Sequence, residues 1–392
     1  MIQELVNMLN VWKQKNKVLY LITSLDYGGT QKNLYYIVKE IKQNSYFDII
    51  VVSLKKGGRY RYRISSLGVK VHNLGLPEKF SFVFLFFLFY SIIKFVFLAI
   101  KYRPTIIHSF LFQANFLSRL IKIFLPKTKI FCSERVAERQ KLWQIKLLKI
   151  TNFLVDKIFV NSKELKEFIV KVQKVQQEKV VVVPNIIEPN EIRIQVDETK
   201  IRKELGISKE DFFILSVGRL HKQKGFDLLI DIVRFFVEKI SNVSLQRKYI
   251  FVVLGDGDEY NNLLKYTKML NVDKYVKFLG YKENVYDYIN ACDLFLLTSY
   301  WEGSPNVVLE AVILKKPVIS TGVEGVSEIL DSNFIVSLNQ PRKRIVESFV
   351  EKIFRIYLSK EKFDYKNCLS DKFSIEHYLP KNVIKKYLIC YC

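Results

Sequence analysis

Histidine and cysteine are scarce in this chain of 392 residues, with four and five copies. The cysteines (Cys132, Cys292, Cys368, Cys390 and Cys392) are scattered and never take the Cys-x-x-Cys spacing. That argues against a zinc site or a disulfide framework, and reads as reduced core or surface thiols. Glycine and proline number only 15 and 9, too few for a low-complexity or disordered chain. The opening residues, MIQELVNMLNVWKQKNK, lack the apolar centre of a signal peptide, so export is not expected.

Acidic residues are missing from one half. Residues 1–188 hold 31 Lys and Arg against 12 Asp and Glu, whereas the remainder holds 31 against 27. A lysine-rich composition would spread its excess over the whole chain. Confinement to one half suits an anionic membrane surface, an anionic lipid-linked substrate or nucleic acid. No nucleic-acid recognition motif occurs in the basic half. One long apolar run lies there: Phe80 to Ile93 is uncharged, then Lys94 is followed by six more apolar residues. A spanning helix needs about 20 apolar residues, and a central lysine costs about 2.5–3.5 kcal/mol on insertion. The expectation is a domain helix with a membrane-facing apolar side, the alternative being that 80–100 inserts.

Short β-branched runs alternate with helical stretches throughout, which predicts parallel α/β architecture. Strands are expected at 17–23, 48–54, 69–74, 105–110, 129–134, 157–162 and 179–185, and again at 212–218, 249–255, 275–280, 293–299 and 316–321. Helices are expected at 225–239, 258–270 and 305–314. The polar stretch PNIIEPNEIRIQVDETK at 184–200 is the candidate linker. Two doubly wound, Rossmann-like domains are therefore expected, facing each other across a cleft, with ligands at the carboxyl ends of their strands.

Chemistry gathers at those ends. In SLDYGGTQKN, Gly28 and Gly29 lie where a strand turns into a helix and let a phosphate or sugar approach the backbone. In VGRLHKQKGF, Gly218, Arg219 and Lys224 follow a buried strand just before a helix. Two cations there can neutralise a diphosphate, Arg as a fork and Lys as a point charge. Asp256 and Asp258 flank Gly257; a metal-binding Asp-x-Asp is the alternative, but turn and cap chemistry explains them better. His108 and His221 are the histidines nearest the predicted cleft.

The stretch SYWEGSPNVVLEAV places Glu302 ahead of a helix and Glu310 inside it. Ser304 suits the N-cap and Pro305 the first helical position. A helix start attracts anions, so flanking carboxylates make sense where hydroxyls are bound. Cations for phosphate and carboxylates for hydroxyls describe a nucleotide-sugar pocket.

These motifs resemble the family 4 retaining glycosyltransferases of the GT-B fold. In the second half the likeness rests on VGRLHKQKGFDLLI, VVLGDGDE, VKFLGYKENVYDYINACDLFLLTSYWEGSPNVVLEAV and KPVISTGVEGVSEIL. The Glu302 and Glu310 pair, seven residues between, matches that family's signature. In the first half it rests on GGTQKNL, IIHSFLFQANFLSRL and VPNII. The resemblance implies an acceptor-binding domain over 1–188, a nucleotide-sugar domain over 189–370, and a terminal helix within 371–392 that crosses back to the first domain. It assigns Arg219 and Lys224 to the donor diphosphate, and Glu310 to the ribose. Glu302, with the backbone of Gly303, Ser304, Pro305, Asn306 and Val307, is assigned to the transferred sugar. Gly28 and Gly29 would close over the donor phosphates. Relatives often carry histidine where this chain has Phe110 or Gln113, leaving His108 as the catalytic candidate of that stretch.

The implied reaction moves a hexose-type sugar from a nucleotide diphosphate to a hydroxyl of a lipid-linked saccharide in lipopolysaccharide or capsule assembly. It implies retention of configuration, no metal and no cofactor. The expected location is the cytoplasm, at the inner face of the cell membrane. A nucleotide-sugar epimerase of the same fold and a basic nucleic-acid-binding protein are the alternatives.

Overall fold

The computed structural model describes residues 16–391 except 44–46, 78–81, 138–140, 242–246 and 360–362, and gives no side-chain account of 82–85. The chain forms two units, one of residues 1–186 with 375–392 and the other of 187–374.

In the first unit the order is β1 (Asn16–Ile22), α1 (Gly29–Gln43), β2 (Phe47–Lys55), α2 (Arg59–Ser65), β3 (Lys70–Leu76) and α3 (Phe82–Tyr102). Next come β4 (Ile106–Phe110), α4 (Phe112–Ile121), β5 (Lys129–Ser133), α5 (Leu142–Ile150), β6 (Lys157–Val160), α6 (Lys163–Gln173) and β7 (Val180–Val182). The strands make one sheet ordered β3-β2-β1-β4-β5-β6-β7, and every pairing in it is parallel. Such a sheet is covered on both faces, which is why its strands read as continuous apolar runs. Alternation along β1 divides the core: Val18, Tyr20 and Ile22 pack toward α1 and α2, whereas Leu19 and Leu21 pack toward α3, α4 and α6.

The second unit continues with α7 (Glu198–Leu205), β8 (Phe212–Val217), α8 (Phe226–Ser241), β9 (Tyr249–Leu254), α9 (Tyr260–Met269) and β10 (Val276–Phe278). It ends with α10 (Val285–Ala291), β11 (Leu294–Leu297), α11 (Asn306–Ile313), β12 (Val318–Thr321), β13 (Ile335–Val336) and α12 (Arg342–Leu358). Its sheet runs β10-β9-β8-β11-β12-β13, again parallel. Both sheets share the doubly wound order in which the third strand is an edge and the fourth lies beside the first. Each therefore has a switch point, between β1 and β4 and between β8 and β11, where a crevice opens at the carboxyl ends. Helix starts follow local rules, as where Ser162 Oγ accepts the Leu165 amide at 3.2 Å ahead of α6.

The predicted linker divides at its start. Ile186 is held to the first unit by its amide on Asn33 Oδ1 at 2.8 Å. Gln195 and Val196 amides already reach Asp287 Oδ1 in the second unit, at 2.6 and 3.2 Å. The last helix, α13 (Pro380–Tyr391), belongs to the first unit. Its Val383, Ile384, Tyr387 and Tyr391 are buried in the core beside α1 and β1.

Candidate functional site

In the second unit, the loops leaving β8 and β11 flank the switch point. The first, 218–225, carries Gly218, Arg219 and Lys224; the second, 298–305, carries Glu302. They are zipped together. The Tyr300 amide donates to Gln223 O at 2.8 Å, Gln223 Nε2 to Trp301 O at 2.9 Å, and Thr298 Oγ1 to Lys224 O at 3.2 Å. Gly225 sits in the seam at φ +61°, and a Cβ there would lie 2.0 Å from Thr298 O. Only glycine allows this approach. Outside the seam, Tyr300 Oη donates to Asp227 Oδ2 at 2.6 Å, and Arg342 Nη1 reaches the same carboxylate at 2.9 Å.

The zip brings two predicted site residues into contact. Lys224 Nζ lies 2.5 Å from Glu302 Oε1, and Ser299 Oγ donates to the same oxygen at 2.7 Å. Glu302 is 6% exposed; a carboxylate so enclosed needs such partners. Arg219 is exposed on a loop shared with Lys224, and among the described residues its guanidinium makes no ion pair. Glu310 lies on α11, 6% exposed, and accepts from Tyr286 Oη at 3.3 Å.

Helix α11 begins one residue later than expected. Asn306 is its first residue and Pro305, at φ −77° and ψ 107°, is the N-cap. Proline's fixed φ suits that extended cap as well as a first helical turn, so the sequence alone does not distinguish the two. Val307 follows in the first turn, and Gly303 and Ser304 form the approach to it.

Sequence reasoning missed Glu324. It lies in the turn after β12, 6% exposed, and its Oε2 accepts the backbone amide of Glu302 at 3.0 Å. The same turn presses on the approach to α11, since a Cβ on Gly325 would come within 2.9 Å of Gly303 O. The 22-residue separation hid this contact. The parallel neighbourhood of β11 and β12 is the only signal that could have suggested it.

Asp256 holds a turn. Asp256 Oδ1 accepts the Gly257 amide at 2.7 Å, and Asp256 O accepts the Leu220 amide at 2.9 Å. This turn braces the loop carrying Arg219. Likewise His221 Nδ1 accepts the Gln223 amide at 3.2 Å, capping the short helical turn Lys222–Lys224.

In the first unit, Gly28 and Gly29 are exposed at the carboxyl end of β1, and α1 starts at Gly29. Across that switch point Thr23 Oγ1 donates to Gln113 Oε1 at 3.2 Å. Leu111 between β4 and α4 has φ 72° and ψ 155°, a conformation that is costly for a branched residue and clusters at functional turns.

His108 does not lie where the sequence reading put it. It sits mid-strand in β4 with no exposed surface. Its Nδ1 lies 2.5 Å from Tyr391 Oη and its Nε2 2.8 Å from Ser133 Oγ. Phe110 stacks on it at 4.4 Å between ring centroids. Burial, reinforced by nearby Arg135, holds its pKa well below the ordinary 6.5. A ring so enclosed cannot touch substrate; it fastens α13 to the sheet, and the catalytic assignment of His108 is withdrawn. The reason is register: Ile106, His108 and Phe110 alternate onto the face that α13 covers.

Two family descriptions match this chain. Glycosyltransferase Family 4 matches residues 27–191 and Glycosyl transferases group 1 matches residues 197–365. The chain belongs to the family 4 glycosyltransferases. Among members of curated function, the Campylobacter jejuni N-acetylgalactosamine-N,N'-diacetylbacillosaminyl-diphospho-undecaprenol 4-alpha-N-acetylgalactosaminyltransferase is 29% identical over 70% of this chain and 80% of its own. The Escherichia coli UDP-Gal:alpha-D-GlcNAc-diphosphoundecaprenol alpha-1,3-galactosyltransferase is 27% identical over 49% of each. The chain spans about half the length of the first curated relatives it matches. The crystal structure of Anabaena HepE in complex with UDP and glucose superposes with a TM-score of 0.77, 18% identity, and 96% and 99% of the two chains covered. The fold of this family 4 chain is therefore GT-B, with two Rossmann-like domains. Among the described residues no helix is long and apolar enough to cross a membrane.

Proposed function

We propose that the protein is a retaining glycosyltransferase that moves a hexose-type sugar from a nucleotide diphosphate to a hydroxyl of a lipid-linked saccharide, in the assembly of a surface polysaccharide. The reading is carried by one observation: the two loops at the β8–β11 switch point hold Lys224 and Glu302 in contact, with Arg219 exposed on the same loop as Lys224. It is supported by relatives whose names specify diphospho-undecaprenol-linked sugars. The proposed place of work is the cytoplasmic face of a membrane, without insertion.

Departure of the nucleoside diphosphate leaves positive charge at the anomeric carbon and negative charge on phosphate. Arg219, Lys224 and the start of α11 would stabilise that phosphate as its charge develops. Lys224 and Glu302 touch, so leaving group and sugar hydroxyls would be held side by side. Glu302 would orient the sugar rather than attack it, Glu310 would take the ribose, and the acceptor hydroxyl would enter on the leaving-group side. With fixed cations at the phosphates, the proposal needs neither metal nor cofactor.

A screen of nucleotide sugars for protection against thermal unfolding tests the donor half, because a ligand bound only by the native state raises stability. One nucleotide sugar should raise Tm, and with a diphospho-undecaprenol-linked acceptor it should yield an α-linked product in the presence of a chelator. No protection by any donor would overturn the reading. An epimerised sugar formed from donor alone would replace it with an isomerase.

A further inference from the structure

The proposed reaction leaves one large feature of the first unit unused, the outer surface of α3. The inner surface is fixed in the fold: Phe95 and Ala99 are fully buried, and Ser91 Oγ donates to Leu74 O at 3.2 Å. At about 100° per residue, Phe86, Phe89, Tyr90, Ile93, Phe97 and Ile100 fall on the opposite side, within an arc of about 100°. All six are between 46% and 69% exposed. Single exposed apolar residues are ordinary, but a continuous stripe marks an interaction surface.

Charge identifies the partner. By the same rotation Lys94 and Lys101 lie on one rim of the stripe, both exposed. Lys94 Nζ reaches Asn73 O at 2.9 Å and stands 5.9 Å from the Tyr90 ring, which holds the cation at the stripe's edge. No acidic residue occurs between Glu78 and Glu134, while that interval holds eight Lys and Arg. Of these, Arg119 and Lys122 are paired with Glu134 and Asp156, but among the described residues Lys94 and Lys101 on the rim make no ion pair. An apolar body with an anionic rim is the complement, and a phospholipid surface has both.

We propose that α3 is a docking helix that lies in the plane of an anionic bilayer, with its phenylalanines at the acyl boundary and its lysines at the lipid phosphates. The helix follows β3 after a short connection, so its first turn lies toward the carboxyl edge of that sheet. A docked α3 would bring that edge, with Gly28 and Leu111, toward the lipid. This adds to the lipid-linked acceptor reading and does not depend on it.

Flotation of the full chain with vesicles tests the proposal. The protein should float with phosphatidylglycerol–phosphatidylethanolamine vesicles and far less with phosphatidylcholine alone. The double substitution Phe89→Ser/Phe97→Ser should lower the floated fraction about tenfold, and Lys94→Glu/Lys101→Glu should remove the preference for anionic lipid. All variants should keep the wild-type melting curve, which separates lost docking from lost fold. A wild-type chain that stays with the soluble fraction would sink the idea, as would serine variants that float equally well. A wild-type dimer that the serine substitutions convert to monomer would assign the stripe to a second copy instead. Thermal protection by nucleotide sugars should be the same in every variant, so failure of docking and failure of the donor reading are told apart.

Discussion

The two units share a strand order and differ in almost everything laid over it. The first is strongly basic, shows an apolar helix to its surroundings and has its core closed by aromatic and hydroxyl contacts from α13. The second is nearly neutral, and its polar resources are concentrated in two loops zipped across the β8–β11 switch point. Equal topology with unequal chemistry means that the sheet supplies the place and the loops supply the reaction. It also means that damage to each unit should read out differently.

The largest effect expected is on turnover, from the second unit. Lys224→Ala should lower transfer by about 10²–10³-fold, the usual consequence of removing one transition-state electrostatic contact, while the circular dichroism spectrum stays native. Unchanged turnover would erase the assigned difference between the units.

A smaller effect, on stability alone, is expected from the first unit. Folded His108 is held below its ordinary pKa of 6.5, chiefly by burial. It then binds fewer protons folded than unfolded, so stability rises with pH from the lowered folded value up to 6.5 and is lost as pH falls through that window. The contribution is at most about 1.4 kcal/mol per pH unit. Urea unfolding at several pH values should show this slope in the wild type, and His108→Asn should lack it. Glu134, whose pKa burial raises, works in the opposite sense above its ordinary 4.5, but it is present in both proteins and cancels in the comparison. Parallel slopes would show that His108 is not the group responsible.

The smallest effect sharpens the role of Glu324. Glu324→Ala leaves the buried Glu302 amide without its acceptor, a loss of about 1–3 kcal/mol in the loop's preferred arrangement. Turnover should fall about tenfold with little change in KM, and Glu324→Gln, which keeps an acceptor oxygen, should restore most of it. If the glutamine variant is as impaired as the alanine one, the carboxylate charge is what matters.

Much of this was legible in the sequence because it is local. Twelve of the strands were expected from β-branched runs, since strands buried on both faces leave unbroken apolar stretches. Strand β13 was missed because the two residues Ile335 and Val336 carry no period. Loop positions of Arg219, Lys224 and Glu302 followed from their places after strands. What could not be read was tertiary: that Lys224 grips Glu302, that Glu324 receives the Glu302 amide, and that His108 lies under Tyr391. The histidine misled because a residue two positions before a strand's end can face either the open edge or a covering helix. Only the return of α13 decides between them.

That return also dictates an order of events during synthesis. Tyr387 and Tyr391 complete the core of the first unit, yet the ribosome makes them after all of residues 187–374. Until then the growing chain carries an unfinished hydrophobic interior while its second half is free to mature. Shortening the chain by a single turn of its last helix would therefore harm the end translated first, by removing Tyr391 from that core.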